Sequence, residues 1–140
     1  MTATGNPPMT AASFASFLSR RACAASAFCN GDAAPLDALL SKDGQATFHS
    51  PSGDSISGAE DVAARYARDS TLFQPGGTSR IDVLHQAEGD LAFWTGHQIA
   101  AVKLAGRDAT TKVTIRVTEV FRNVDDEWKL IHRHADFPTG

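Results

Sequence analysis

The second half of this chain constrains its fold most. Four β-rich runs, RIDVLHQA, LAFWTGHQIAAVKL, TKVTIRVTEVFR and EWKLIHRHAD, follow one another through short turns around EGD, AGRDA and NVDD. Parallel strands need a crossover of roughly a dozen residues or more, and no such length is present between these runs. Short connections make consecutive strands antiparallel neighbours, so a four-strand meander is expected.

The first half has helical spacing. From Thr10 to Cys29, apolar Phe14, Phe17, Leu18, Ala22, Ala25, Phe28 and Cys29 recur at steps of three and four. This predicts a long amphipathic helix with Arg20 and Arg21 snorkelling outward. Gly31 suits a left-handed cap, and Asp32 can cap the next helix, the short AAPLDALLS with Pro35 in its first turn. QATFHS reads as a short strand and SPSGDSISG as a loop. Ser57 followed by Glu60 makes a capping box for a third helix reaching about Thr71, which QPGGTS would break. Helices, one strand, then a meander give an α+β layout with helices over one sheet face.

A length of 140 residues suits one domain, with residues 1–9 as a disordered lead-in and 10–140 as the domain. MTATGNPPMT has neither the apolar core nor the basic start of a signal peptide, and no apolar run approaches the length of a membrane span. Thirteen Lys and Arg against sixteen Asp and Glu give a net charge of -3, with the arginines scattered. That excludes a phosphate grip on nucleic acid or an anionic membrane as the main partner. Cys23 and Cys29 lie on roughly opposite sides of the first helix, beyond disulfide reach of each other. They are expected to be reduced thiols in a cytoplasmic protein.

Strand alternation decides which chemistry is available. In TKVTIRVTEVFR, Val113, Ile115, Val117, Glu119 and Phe121 share the apolar face, which should meet the helices. A carboxylate there must be paired or hold a proton, so Glu119 is a candidate acid, base or ligand anchor. The alternatives are a structural ion pair or a strand-end glutamate reaching water. Two other runs stay unoriented by composition. Phe93, Thr95, His97 and Ile99 oppose Trp94, Gly96, Gln98 and Ala100, and Ile131, Arg133 and Ala135 oppose Leu130, His132, His134 and Asp136. His132-x-His134 with Asp136 could in principle chelate a metal, but same-face strand neighbours are about 7 Å apart and no cysteine joins them. No metal is therefore expected. Ser50 and Ser52 lack a G-x-S-x-G elbow, and Gly76-Gly77 lacks the context of a phosphate cradle.

RVTEVFRNVDDEWKLIHRHAD resembles the two final strands of nuclear transport factor 2-like proteins, a superfamily that includes ketosteroid isomerase-like and polyketide-cyclase-like (SnoaL-like) domains. ATFHSPSGDSISGAEDVAARYA resembles their strand, loop and third helix, and AFCNGDAAPLDALLS is similar to the junction of their first two helices. The resemblance covers about Phe14 to Asp136. It implies an α+β cone, a barrel-like fold of the cystatin and nuclear transport factor 2-like kind. In it a curved mixed or antiparallel sheet wraps over three N-terminal helices around one apolar pocket. It also implies homodimers through the outer sheet face.

The resemblance further implies that Phe93, Thr95, His97, Val117, Glu119, Ile131 and Arg133 bind a ligand, with His132 and His134 on the opposite face. This sequence departs from the ketosteroid isomerase pattern. The Asp-Pro-x-Gly turn that carries its base reads Ser50-Pro51-Ser52-Gly53, and its tyrosine donor falls near Ala24. Only its protonated acid has a counterpart, at or beside Glu119. Steroid isomerisation is therefore not expected. The catalytic candidates are His97, Glu119, Arg133 and His49. They fit a cofactor-free isomerase, cyclase or lyase acting on a small apolar substrate with a carbonyl or carboxylate, with His97 or Glu119 as base and Arg133 as stabiliser. The alternative is a non-catalytic dimeric binding or scaffolding domain with a structural Glu119–Arg133 pair.

Overall fold

A computed structural model describes residues 13–138. Helix α1, Phe14–Phe28, starts on Ser13, whose side-chain oxygen accepts a hydrogen bond from the Ser16 N–H at 3.2 Å. The lead-in and the predicted helical start at Thr10 lie outside the described residues. Gly31 takes the expected left-handed conformation (φ 91°), and a Cβ there would come within 2.7 Å of the Phe73 carbonyl oxygen. Asp32 accepts from the Ala34 N–H at 3.0 Å, but it is not the cap: α2 spans only Ala34–Asp37 and its N-cap is Ala33, without a side-chain bond.

Helix α3, Ala59–Ser70, follows β1 (Thr47–His49) and β2 (Ser55–Ser57). The predicted capping box does not form. Ser57 is paired with Thr47 in the sheet, and Gly58 (φ 101°) is the N-cap without a side-chain bond. QPGGTS does not act as a helix breaker either, because α3 has already ended and the stretch belongs to β3, Phe73–Glu88. The register shifts between Gln74 and Thr78. There Asn30 Oδ1 accepts from the N–H groups of Gly76 and Gly77 at 2.8 and 3.0 Å, so a side chain replaces the missing ladder bonds.

Strands β4 (Leu91–Leu104), β5 (Thr110–Val124) and β6 (Glu127–Asp136) complete the predicted meander. The six strands form one open, curved sheet in the order β2-β1-β6-β5-β4-β3, in which only β1 and β6 run parallel. One face of this sheet packs on the helices. Among the described residues, no helix is long and apolar enough to cross a membrane.

The space between sheet and helices is divided. Under the first turns of α1 it is filled. Phe14 and Phe17 meet Phe121 at ring distances of 5.3 and 5.2 Å, and Phe14 meets Trp128 edge-on at 5.5 Å. Each such ring pair adds about 0.5–1.5 kcal/mol beyond area burial. Under the last turn of α1 the packing opens into a cavity.

Candidate functional site

The cavity holds about 350 Å³, at the small end of the range typical of ligand sites. The end of α1 walls it with Arg21, Ala25, Phe28 and Cys29, α3 with Arg65, Tyr66 and Asp69, and the sheet with Phe48, Gln98, Val102 and Arg133. Most of this lining is apolar. The turn Ser50-Pro51-Ser52 also contributes to it.

Behind the inner wall lies Glu119, fully enclosed. Arg21 grips it with a fork: Nε donates to Oε1 at 2.9 Å and Nη2 to Oε2 at 2.8 Å. Trp94 Nε1 donates to Oε1 at 2.8 Å, and Arg133 Nη1 donates to Oε2 at 2.6 Å. Arg133 Nη2 continues to Gln98 Oε1 at 3.0 Å, and Gln98 Nε2 reaches Ser79 Oγ at 3.3 Å. Burial alone would raise the Glu119 carboxyl, but the guanidinium groups of Arg21 and Arg133 outweigh it and hold the pKa down at about 2. Burial likewise opposes the charge of Arg21, and the Glu119 carboxylate more than offsets it. Glu119 is thus an anion with both oxygens engaged, not a proton carrier.

The other titratable groups of the wall are also restrained. Burial pushes the Tyr66 hydroxyl and the Cys29 thiol up, so both stay neutral. At the rim, Arg65 Nε donates to Asp69 at 2.9 Å and Nη1 to Asp54 at 2.5 Å. Asp54 follows the turn where the resemblance would put a base. Arg65 and then Ser50 Oγ hold its carboxyl at about 2.

Among the seven residues implied as ligand-binding, Arg133 alone lines the cavity. Val117 and Glu119 share the inner face with Phe121, as alternation predicted, but Val117 belongs to the packed core and Glu119 sits behind the arginines. Phe93, Thr95 and His97 lie on the outer face, because β4 turns Ala92, Trp94, Gly96 and Gln98 inward. Thr95 Oγ1 there hydrogen-bonds the side chain of Thr118 at 2.8 Å. Ile131 is the extra residue of a bulge: Val120 pairs with His132 and Phe121 with Leu130. Leu130 and Arg133 therefore both face inward, which strict alternation forbids.

His49 is also an outer-face residue. It joins His132 and His134 across the parallel β1–β6 pair, at ring distances of 5.1 and 5.3 Å. Asp136, once a possible metal ligand, is held by Arg116 at 2.6 and 2.8 Å. Among the described residues no His, Cys, Asp or Glu group has the arrangement to hold a metal ion.

A family model for SnoaL-like domains matches residues 21–140. The chain belongs to the SnoaL-like domain family. No curated relative matches it. Solved structures give this SnoaL-like domain the fold of the nuclear transport factor 2-like superfamily. A superfamily member from Salmonella enterica serovar Typhimurium aligns at TM-score 0.74 with 17% identity, over 91% of this chain and 89% of the other. A candidate dehydratase of the family from Streptomyces avermitilis aligns at 0.70 with 22% identity, over 89% and 94%. A candidate ketosteroid isomerase from Parabacteroides distasonis aligns at 0.63 with 20% identity, over 88% and 86%. At such identities the likeness carries the fold and leaves the activity to the site.

Arg21, Gln98 and Tyr66 in the cavity wall, and Trp94 behind it, are among the candidate-site residues that sequence reading misses. For Arg21 a signal exists: it lies three beyond Leu18 and four before Ala25, in the middle of the apolar stripe. Only Arg20 of the two arginines reaches solvent.

Proposed function

We propose that this SnoaL-like domain binds a small, partly apolar molecule bearing a carbonyl or carboxylate, without a cofactor, in the cavity between α1, α3 and the sheet. The cavity itself carries the reading: an apolar hollow of about 350 Å³ with two buried guanidinium groups in its wall. Binding is favoured over acid–base catalysis. Glu119 is locked between Arg21 and Arg133, and His97 and His49 are on the far side of the sheet. In a ligand-detected NMR screen of small apolar acids, ketones and esters, hits should bind the parent and lose binding in Val113→Trp, which fills the hollow. No hits, or hits indifferent to that substitution, would remove the reading.

A second reading is favoured by the closed Glu119–Arg133 contact at 2.6 Å. In it the pair is structural and the domain acts as a dimeric scaffold through its outer sheet face, where Phe93 is 36% exposed beside Val120. Sedimentation of the parent as a dimer, and of Phe93→Lys as a monomer, would support it. Both readings have the domain act in the cytoplasm, with Cys23 and Cys29 as free thiols.

A further inference from the structure

The inner end of the cavity carries unbalanced charge. Arg21 and Arg133 are 2% and 7% exposed, and the single carboxylate between them is Glu119. Two buried cations share one anion. Among the described residues, the sole carboxylate in the cavity wall, Asp69, is held by Arg65, which also binds the half-exposed Asp54. The Tyr66 hydroxyl and Cys29 thiol add no negative charge. Two buried cations on one carboxylate leave a net positive charge at the inner end, and that end is suited to receive an anion.

Hydrogen bonding points to the same end. Arg21 Nη1 and the Tyr66 hydroxyl are buried side-chain atoms without a hydrogen-bond partner among the described residues. Both residues line the cavity. Buried donors are rarely left unmatched, and here two of them border one hollow. A neutral oxygen could satisfy the donors, but only an anion satisfies donors and charge together. Each atom exposes less than 1 Å², so seating a ligand oxygen requires a rotamer-scale shift of the wall. The planar guanidinium matches carboxylates and phosphates alike, and the largely apolar lining favours the singly charged carboxylate of the two.

We infer that the ligand of this domain is an apolar monocarboxylate whose head group seats beside Arg21, Arg133 and Tyr66, with its tail along Phe28, Phe73 and Val102. The inference rests on the binding reading above and specifies its chemistry. Its test is calorimetric titration of the intact chain at neutral pH and low salt with two matched pairs: hexanoate against hexanamide, and 3-phenylpropanoate against its amide. Each acid should bind roughly tenfold or more tighter than its amide. Arg21→Met leaves Glu119 and Arg133 as a balanced pair. It should collapse the acid-over-amide preference, the acid losing roughly tenfold or more affinity and the amide markedly less. If Arg21→Met does not fold, Tyr66→Phe should narrow the preference severalfold. Equal affinity within both pairs would overturn the inference and leave the binding cavity standing. So would a preference that persists unchanged in the substituted chain. Failure of all four compounds to bind would overturn the inference, and the ligand screen described above then decides the binding reading separately.

Discussion

Strand β6 turns Arg133 to one side and His132 and His134 to the other, and the two sides treat charge in opposite ways. Inside, four hydrogen bonds from Arg21, Arg133 and Trp94 converge on one carboxylate that water does not reach. Outside, His49, His132 and His134 gather ring against ring, the nearby Asp136 is taken up by Arg116, and His132 Nδ1 is matched with Thr47 Oγ1 at 2.6 Å. Burial first, and then the neighbouring His49 and His134, push the His132 pKa down. The inner groups persist in the interior because they are ionised and paired. On the outer face the lowered pKa of His132 favours its neutral form beside the other two rings.

The strongest way to break the contrast is Glu119→Gln, which leaves two buried guanidinium groups facing an uncharged amide. Removing one partner of a buried ion pair costs about 3–5 kcal/mol, and urea denaturation should show a loss of that size. Acid should produce a related but graded effect. The folded-state pKa of Glu119, about 2, lies below its ordinary value of 4.5, so the unfolded chain binds the proton more readily. The contribution is complete above 4.5 and is lost as the pH falls through 4.5 toward 2. Denaturation midpoints in the parent should drop across that window, and those of Glu119→Gln should lose that component.

Trp94→Phe keeps the ring packing and deletes one bond to the carboxylate, so its cost should be about 1.5–3 kcal/mol in the same denaturation experiment. The smallest effect belongs to the outer face. The lowered pKa of His132 makes the unfolded chain the better proton acceptor just below 6.5, so stability should rise with pH there. His132→Gln should flatten that slope while leaving the acid limb set by Glu119 in place.

How legible this arrangement is from sequence differs residue by residue. The bounds of β4 and β6 are readable because turn residues flank each run, and the inward face of β5 is readable because Val113, Ile115, Val117 and Phe121 alternate strictly. The faces of β4 are not, since aromatic and polar residues occur on both. Gly96 holds the one local clue. A Cβ there would come within 2.0 Å of the Asp82 carbonyl oxygen, which requires a residue without a side chain where β3 crosses closely. Arg21 is missed when an arginine on a helix is assigned to solvent by type and not by its place in the stripe. The partner it finds lies 98 residues away, a pairing that no local spacing encodes.

Ile131 sets the strand's tolerance of length change. It is the one residue of β6 left over between the Leu130–Phe121 and His132–Val120 pairs. A chain shortened by that single position would alternate regularly, with Leu130 and Arg133 still pointing the same way. What it would give up is the local bend and added twist that a bulge imparts. Drift by one residue at this point would therefore reshape the hollow while leaving its chemical inventory untouched, so capacity and charge in this domain can evolve separately.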